Sequence, residues 1–168
     1  MAITPNQLKP GNPGAVAPNP DFWRGRRVLL TGHTGFKGAW LALWLTSLGA
    51  KVHGLALAPV TTPNLWGAIQ ARCGASRIGD IRDRDLVAEA MAGAAPEVVI
   101  HMAAQALVRT SYEDPIGTYA TNIMGTAHVL EAARAQTGIA ATLVVTSDKV
   151  YENHGHNRPF VEGDRLGG

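Results

Sequence analysis

From Arg27 onward, short apolar or β-branched runs alternate with stretches whose apolar residues recur every three or four positions. The runs fit strands buried on both faces, the recurring pattern fits helices, and their alternation predicts an α/β fold with a parallel sheet covered by helices on both faces. Strands are predicted at 27–31, 51–57, 76–81, 97–102 and 141–146. A first helix runs from the glycine-rich segment after the first strand to about Leu48, where Gly49 supplies the stop. A second is capped by Asp83 and carries Leu86, Ala90 and Met91. A third opens at Asp114-Pro115 and follows Ile116, Ala120, Ile123, Ala127 and Leu130. Trp40 and Trp44, interleaved with Leu41, Leu45 and Leu48, read as the face of the first helix buried on the sheet.

The first 22 residues break this rhythm. They hold five of the ten prolines, at positions 5, 10, 13, 18 and 20, and almost no periodic apolar pattern, so a flexible tail is expected before a dinucleotide-binding unit at 23–168. No basic start followed by an apolar core is present, and the longest apolar stretch, from Ala39 to Leu48, is broken by Thr46 and Ser47. That is far short of the ~20 residues needed to span a bilayer, and a cytoplasmic location is expected. A length of 168 residues suits about one domain. The 46% hydrophobic and 17% charged content excludes disorder or a coiled coil for the bulk, and a net charge of +2 gives no nucleic-acid footprint. One cysteine, Cys73, excludes an internal disulfide and a Cys-cluster zinc site, and reads as a small buried residue.

The candidate chemistry starts at Gly32-His33-Thr34-Gly35-Phe36-Lys37-Gly38, which follows an apolar strand and opens a helix. Glycines at 32, 35 and 38 let backbone N–H groups approach a pyrophosphate while the helix N-terminus adds partial positive charge. The spacing is G-x-x-G-x-x-G rather than G-x-G-x-x-G, and the strand-turn-helix context is what makes it specific for a Rossmann-type dinucleotide site. Asp80, with Ile81 beside it, is placed to accept from an adenine amine, and the small Ala103-Ala104 lets backbone pass close to a cofactor. One usual feature is missing. No Asp or Glu lies between Asp21 and Asp80, Ala58 sits where an acid would hold the ribose of NAD, and no Arg follows the second strand to clamp a 2'-phosphate. NAD and NADP both stay open. His33 is expected to approach the cofactor through its backbone, whereas His53, His101 and His128 read as packed residues. His154 and His156 lack a third ligand nearby, so no metal site is expected.

Together with Trp40-Leu41, Gly79-Asp80-Ile81-Arg82-Asp83, His101-Met102-Ala103-Ala104-Gln105, Val108-Arg109, Ser111-Tyr112, Thr121-Asn122, Met124-Gly125-Thr126 and Thr146-Ser147-Asp148-Lys149, the glycine segment resembles the extended short-chain dehydrogenase/reductase superfamily. Within it, the NAD-dependent epimerase/dehydratase family and its nucleotide-sugar 4,6-dehydratases of the CDP-glucose type are most similar, over about residues 23–168. The resemblance implies NAD held by Gly32, Thr34, Gly35, Phe36, Lys37, Gly38, Asp80, Ile81, Ala103, Ala104 and Asn122. It also implies a nucleotide-sugar substrate touched by Arg109, a homo-oligomer, and a place in deoxysugar biosynthesis.

The implied chemistry is removal of water across C5 and C6 of the hexose after oxidation at C4 makes the C5 proton acidic. In that scheme Ser147 hydrogen-bonds the C4 oxygen, Asp148 is the acid at the C6 oxygen, and Lys149 occupies the position of the C5 base or positions substrate. The superfamily's Tyr-x-x-x-Lys pair does not occur. Four residues beyond Tyr112, Tyr119 and Tyr151 stand Ile116, Ile123 and Gly155. The expectation is an N-terminal portion, inactive alone, with the sheet open at one edge after the fifth strand and prone to association. A sugar-nucleotide 4-epimerase and a binding module without turnover are the alternatives. The Asp148-Lys149 pair argues against the module.

Overall fold

The computed structural model of the chain describes residues 18–147, 149–153, 155 and 158–167. A short helix, α1 (Pro20–Trp23), leads into β1 (Arg27–Thr31), α2 (Phe36–Ser47), β2 (Lys51–Ala56), α3 (Leu65–Ile69), β3 (Ala75–Ile78), α4 (Arg84–Ala94) and β4 (Val98–His101). After β4 come α5 (Val108–Glu113), α6 (Pro115–Tyr119), a π-helical turn (Ala120–Gly125), α7 (Thr126–Arg134) and β5 (Ala141–Val144). The five strands are parallel in the order β3-β2-β1-β4-β5, the doubly wound Rossmann arrangement. The order reverses between β1 and β4. Thr31 stands level with Leu55 and His101 there, so three strands end together at one carboxyl edge.

Period-two alternation divides the core. Val28, Leu30, Val98 and Ile100 face α2 and α3, meeting Ala39, Ala42, Leu45, Trp66 and Ile69. Leu29, Leu55 and Val99 face the other way, onto Val87 and Met91 of α4 and Val129, Ala132 and Ala133 of α7. Asp83 caps α4 as expected, its side chain accepting from the Asp85 and Leu86 N–H groups. Cys73 is half-buried against the first cluster.

Several expectations are corrected. The last four strands are shorter than their apolar runs, β2 ending at Ala56, β3 at Ile78, β4 at His101 and β5 at Val144. Residues 57, 79–81 and 102 leave the ladder and line the cleft described below. Trp40 and Trp44 are not the buried face of α2: they are 52% and 47% exposed, while Gly38, Ala39, Ala42 and Leu45 meet the sheet. The third helix repeats the lesson. Ile116, Ile123 and Leu130 point outward, and Gly125, Val129, Ala132 and Ala133 are buried. Close approach of a helix to a sheet selects small side chains, so the bulky stripe of a helix that is apolar on two sides is left outside. That helix is also not continuous α: the π-helical turn interrupts it. The short helices α3 and α5 carry no periodic pattern long enough to predict. Residues 1–17 of the expected tail lie outside the described residues. No helix among those described is long and apolar enough to cross a membrane.

Candidate functional site

At the switch point, Gly32 leaves β1 with φ +77° and its N–H donates to the Leu55 carbonyl at 2.9 Å. A Cβ there would come within 2.9 Å of the Ala103 nitrogen and the Met102 carbonyl carbon. One at Gly38, in the first turn of α2, would run into the Gly32 carbonyl oxygen. The turn therefore closes only without side chains at these positions. Gly35 is the N-cap of α2 and offers no side-chain acceptor, so the leading N–H groups of a 12-residue helix are left for an anion.

The turn forms one wall of a cleft of about 480 Å³, within the size range of small-ligand sites. Of the residues expected to hold a cofactor, Gly32, Thr34, Gly35, Phe36, Asp80, Ile81, Ala103 and Ala104 line it together. Lys37, Gly38 and Asn122 do not. Gly38 supports the turn from inside, and Asn122 clamps the loop after β4, its Oδ1 accepting from the Gln105 N–H at 2.8 Å and its Nδ2 donating to the Gln105 carbonyl at 2.9 Å. Of the facing wall, which runs from Leu57 through Ala58 and Thr61 to Pro63, Asn64 and Leu65, sequence reasoning placed Ala58 beside the ribose and missed the rest. Its legible signals were the Pro-Thr cluster at 59–63 and Asn64 as a helix cap, accepting from the Gly67 N–H at 2.7 Å. Thr34 ties turn to wall by donating its hydroxyl to the Leu57 carbonyl at 2.7 Å.

Among the described residues, Asp80 is the only charged side chain lining the cleft. Its carboxylate already accepts two guanidinium bonds from Arg82, at 2.8 and 2.6 Å, and the Arg82 N–H at 2.8 Å. The Arg82 side chain holds its pKa below the usual carboxylate range, against some opposing burial. His33 is not limited to a backbone role. Its ring is 1% exposed, bonds Ser76 Oγ through Nε2 at 2.7 Å, stands edge-on to Trp66 at 4.5 Å, and fills space that a Cβ at Gly54 would take. Burial pushes its pKa down. The turn is thus propped from behind by an aromatic pair.

The expected substrate edge stands apart from this cleft. Ser147 Oγ accepts from the Lys149 N–H at 3.0 Å, and both residues are exposed beyond β5. Lys149 borders a second hollow with Tyr151, Glu152, Asn153 and Arg165. Asp148 lies outside the described residues, as do His154 and His156. Arg109, on α5, has its side chain 91% exposed and pairs with Glu113 at 3.1 Å, a surface bridge of little energetic weight. His101 and His128 are hydrogen-bonded within the fold, as packed residues should be, and His53 is half-buried in β2. Among the described residues no three His, Cys, Asp or Glu side chains converge on a metal-sized point.

Known proteins share this fold. CDP-glucose 4,6-dehydratase of Salmonella typhimurium is 49% identical over 149 residues, 88% of this chain and 42% of the enzyme. UDP-glucose 4-epimerase from Brucella ovis, solved in complex with NAD, superimposes with a TM-score of 0.71 at 30% identity, covering 85% of this chain and 42% of that one. The Stenotrophomonas maltophila UDP-glucose-4-epimerase, solved with NAD and formylated UDP-arabinopyranose, gives 0.72 at 27% identity, covering 84% and 42%. The chain spans less than half the length of these relatives. Its glycine turn, its parallel strand order and a match to the GDP-mannose 4,6 dehydratase family model over residues 29–166 agree, and the chain belongs to that family.

Proposed function

We propose that the chain is the dinucleotide-binding part of a nucleotide-sugar 4,6-dehydratase acting on CDP-glucose. The observation that carries the reading is the Cβ-free turn at Gly32 and Gly38, opening the α2 N-terminus onto the cleft, in a chain 49% identical to a CDP-glucose 4,6-dehydratase. The residues present fit a nicotinamide dinucleotide. Gly32, Gly35 and the first amides of α2 would hold its pyrophosphate, Asp80 and Ile81 its adenine end, and Ala103-Ala104 would let it pass β4. NAD is favoured over NADP because none of the described residues lining the cleft is a cation that could meet a 2'-phosphate. When bound, the nicotinamide supplies an acceptor for the C4 hydride and returns it later in the cycle.

Ser147, Asp148 and Lys149, which follow β5 in the sequence, would take the sugar chemistry. Ser147 donates a hydrogen bond to the C4 oxygen, Asp148 protonates the departing C6 hydroxyl, and Lys149 takes the C5 proton. Arg109 binds substrate in this reading, and the full protein is a cytoplasmic homo-oligomer. The test is incubation of a protein of the relatives' full length carrying these residues with CDP-glucose and NAD. Formation of the 4-keto-6-deoxy product supports the reading. A second reading, 4-epimerisation, is favoured by the overlap with NAD-bound epimerases and predicts a product that keeps its C6 hydroxyl. That product would overturn the dehydratase.

A further inference from the structure

Beneath the cleft lies a chain of hydrogen bonds whose direction can be assigned link by link. Thr31 Oγ1, fully buried, accepts from the Met102 and Ala103 N–H groups, both at 3.1 Å. A hydroxyl has two acceptor sites and one hydrogen, so that hydrogen is left for its third neighbour, His101 Nδ1 at 2.6 Å. Nδ1 is then an acceptor, and the imidazole proton sits on Nε2, which donates to Thr126 Oγ1 at 2.9 Å. The Thr126 hydroxyl in turn donates to the Asn122 carbonyl at 2.7 Å. Asn122 grips Gln105 at the far end of the same loop. Reversing any one link leaves two hydrogens or two lone pairs facing each other.

His101 is 2% exposed and lines no part of the cleft, whereas Met102, Ala103, Ala104 and Thr121 do. The loop it holds is the backbone against which Gly32 closes. We propose that His101 is a positioning residue. As the Nε2–H tautomer it joins β1, β4 and the start of α7, and through the Thr126 hydroxyl the π-helical turn, so that the 102–105 loop and the Gly32 turn keep the spacing a dinucleotide needs. This rests on the dinucleotide reading above.

Thr126→Val keeps the branched shape and removes the acceptor of Nε2–H, while Thr126→Ser keeps the hydroxyl, so the pair separates the hydrogen bond from the packing. Long-range nitrogen NMR of the full chain is expected to show His101 as the Nε2–H tautomer. Thr126→Val is expected to shift that tautomer, to speed hydrogen exchange at the Met102 and Ala103 amides, and to weaken NAD binding by about tenfold; Thr126→Ser should restore all three. A wild-type His101 protonated on Nδ1 would overturn the proposal. So would a folded Thr126→Val protein with unchanged amide exchange and unchanged NAD affinity. A wild-type chain that shows the tautomer and binds no NAD would overturn the dinucleotide reading instead.

Discussion

Two glycines within helices of this chain make opposite demands, and replacing each by alanine measures the difference. Gly93 lies near the end of α4 with nothing within 4 Å of where a Cβ would stand. Gly93→Ala should follow helix propensity and stabilise by about 0.5 kcal/mol, near the helix end, where propensity counts for less than its full value. Gly38 sits in the first turn of α2, and its Cβ would enter the space of the Gly32 carbonyl oxygen, which also accepts the Gly35 N–H at 3.1 Å. Overpacking costs about 1–3 kcal/mol, and a backbone carbonyl held in a tight turn has no rotamer to escape into. Propensity returns at most about 1 kcal/mol. With the clash at the upper end of that range, the net expectation for Gly38→Ala is a loss of about 2 kcal/mol, a fall of roughly 4–8 °C in melting temperature for a domain of this size. Gly93→Ala should rise by about 1–2 °C. Calorimetry of the two variants beside the parent chain reads both. Titration with NAD adds a second measure, since moving the Gly32 carbonyl displaces the amides that face the pyrophosphate. Melting temperatures that move in the same direction, or a Gly38→Ala chain as stable as the parent, would refute the geometry assigned to the turn.

Ala95 ends α4 in the left-handed region at φ +40°, where a Cβ is strained, so Ala95→Gly should stabilise by about 0.5–1 kcal/mol; a lower melting temperature would contradict this. Burial lowers the pKa of both His33 and His101 below the ordinary 6.5. The unfolded chain therefore takes up protons first as pH falls, and the stability these groups contribute, complete above about 6.5, is lost as pH drops toward their folded values, at up to about 1.4 kcal/mol per pH unit for each. Urea midpoints measured at pH 8 and pH 5.5 should differ in favour of pH 8, and equal midpoints would refute the neutral, buried state of both rings.

The glycine turn was legible because its demands are local: a positive φ at Gly32 and a helix start at Phe36 are written in adjacent residues. Three of the helix starts, at Phe36, Arg84 and Pro115, and the carboxyl-edge position of the motif residues were legible for the same reason. The opposite wall of the cleft was not, since Leu57 to Leu65 reads as an irregular loop until Thr34, Asn64 and the His33–Trp66 pair pin it in place. Nor was the role of His101. A histidine between apolar residues reads as packing, and only the pairing of Thr31 with His101 across parallel strands brings its ring to the hydroxyl that orients it.

By itself, the sequence determined the order of the five strands and of the three long helical stretches between them, the parallel sheet, the phosphate turn and the two-sided burial of the central strands, because period, caps and glycine conformations act over a few residues. Tertiary structure alone decided which of two apolar helix faces turns inward. Trp40, Trp44, Ile116, Ile123 and Leu130 stay outside because close approach to a sheet is a matter of side-chain size, and hydrophobicity alone does not distinguish the bulky stripe from the small one.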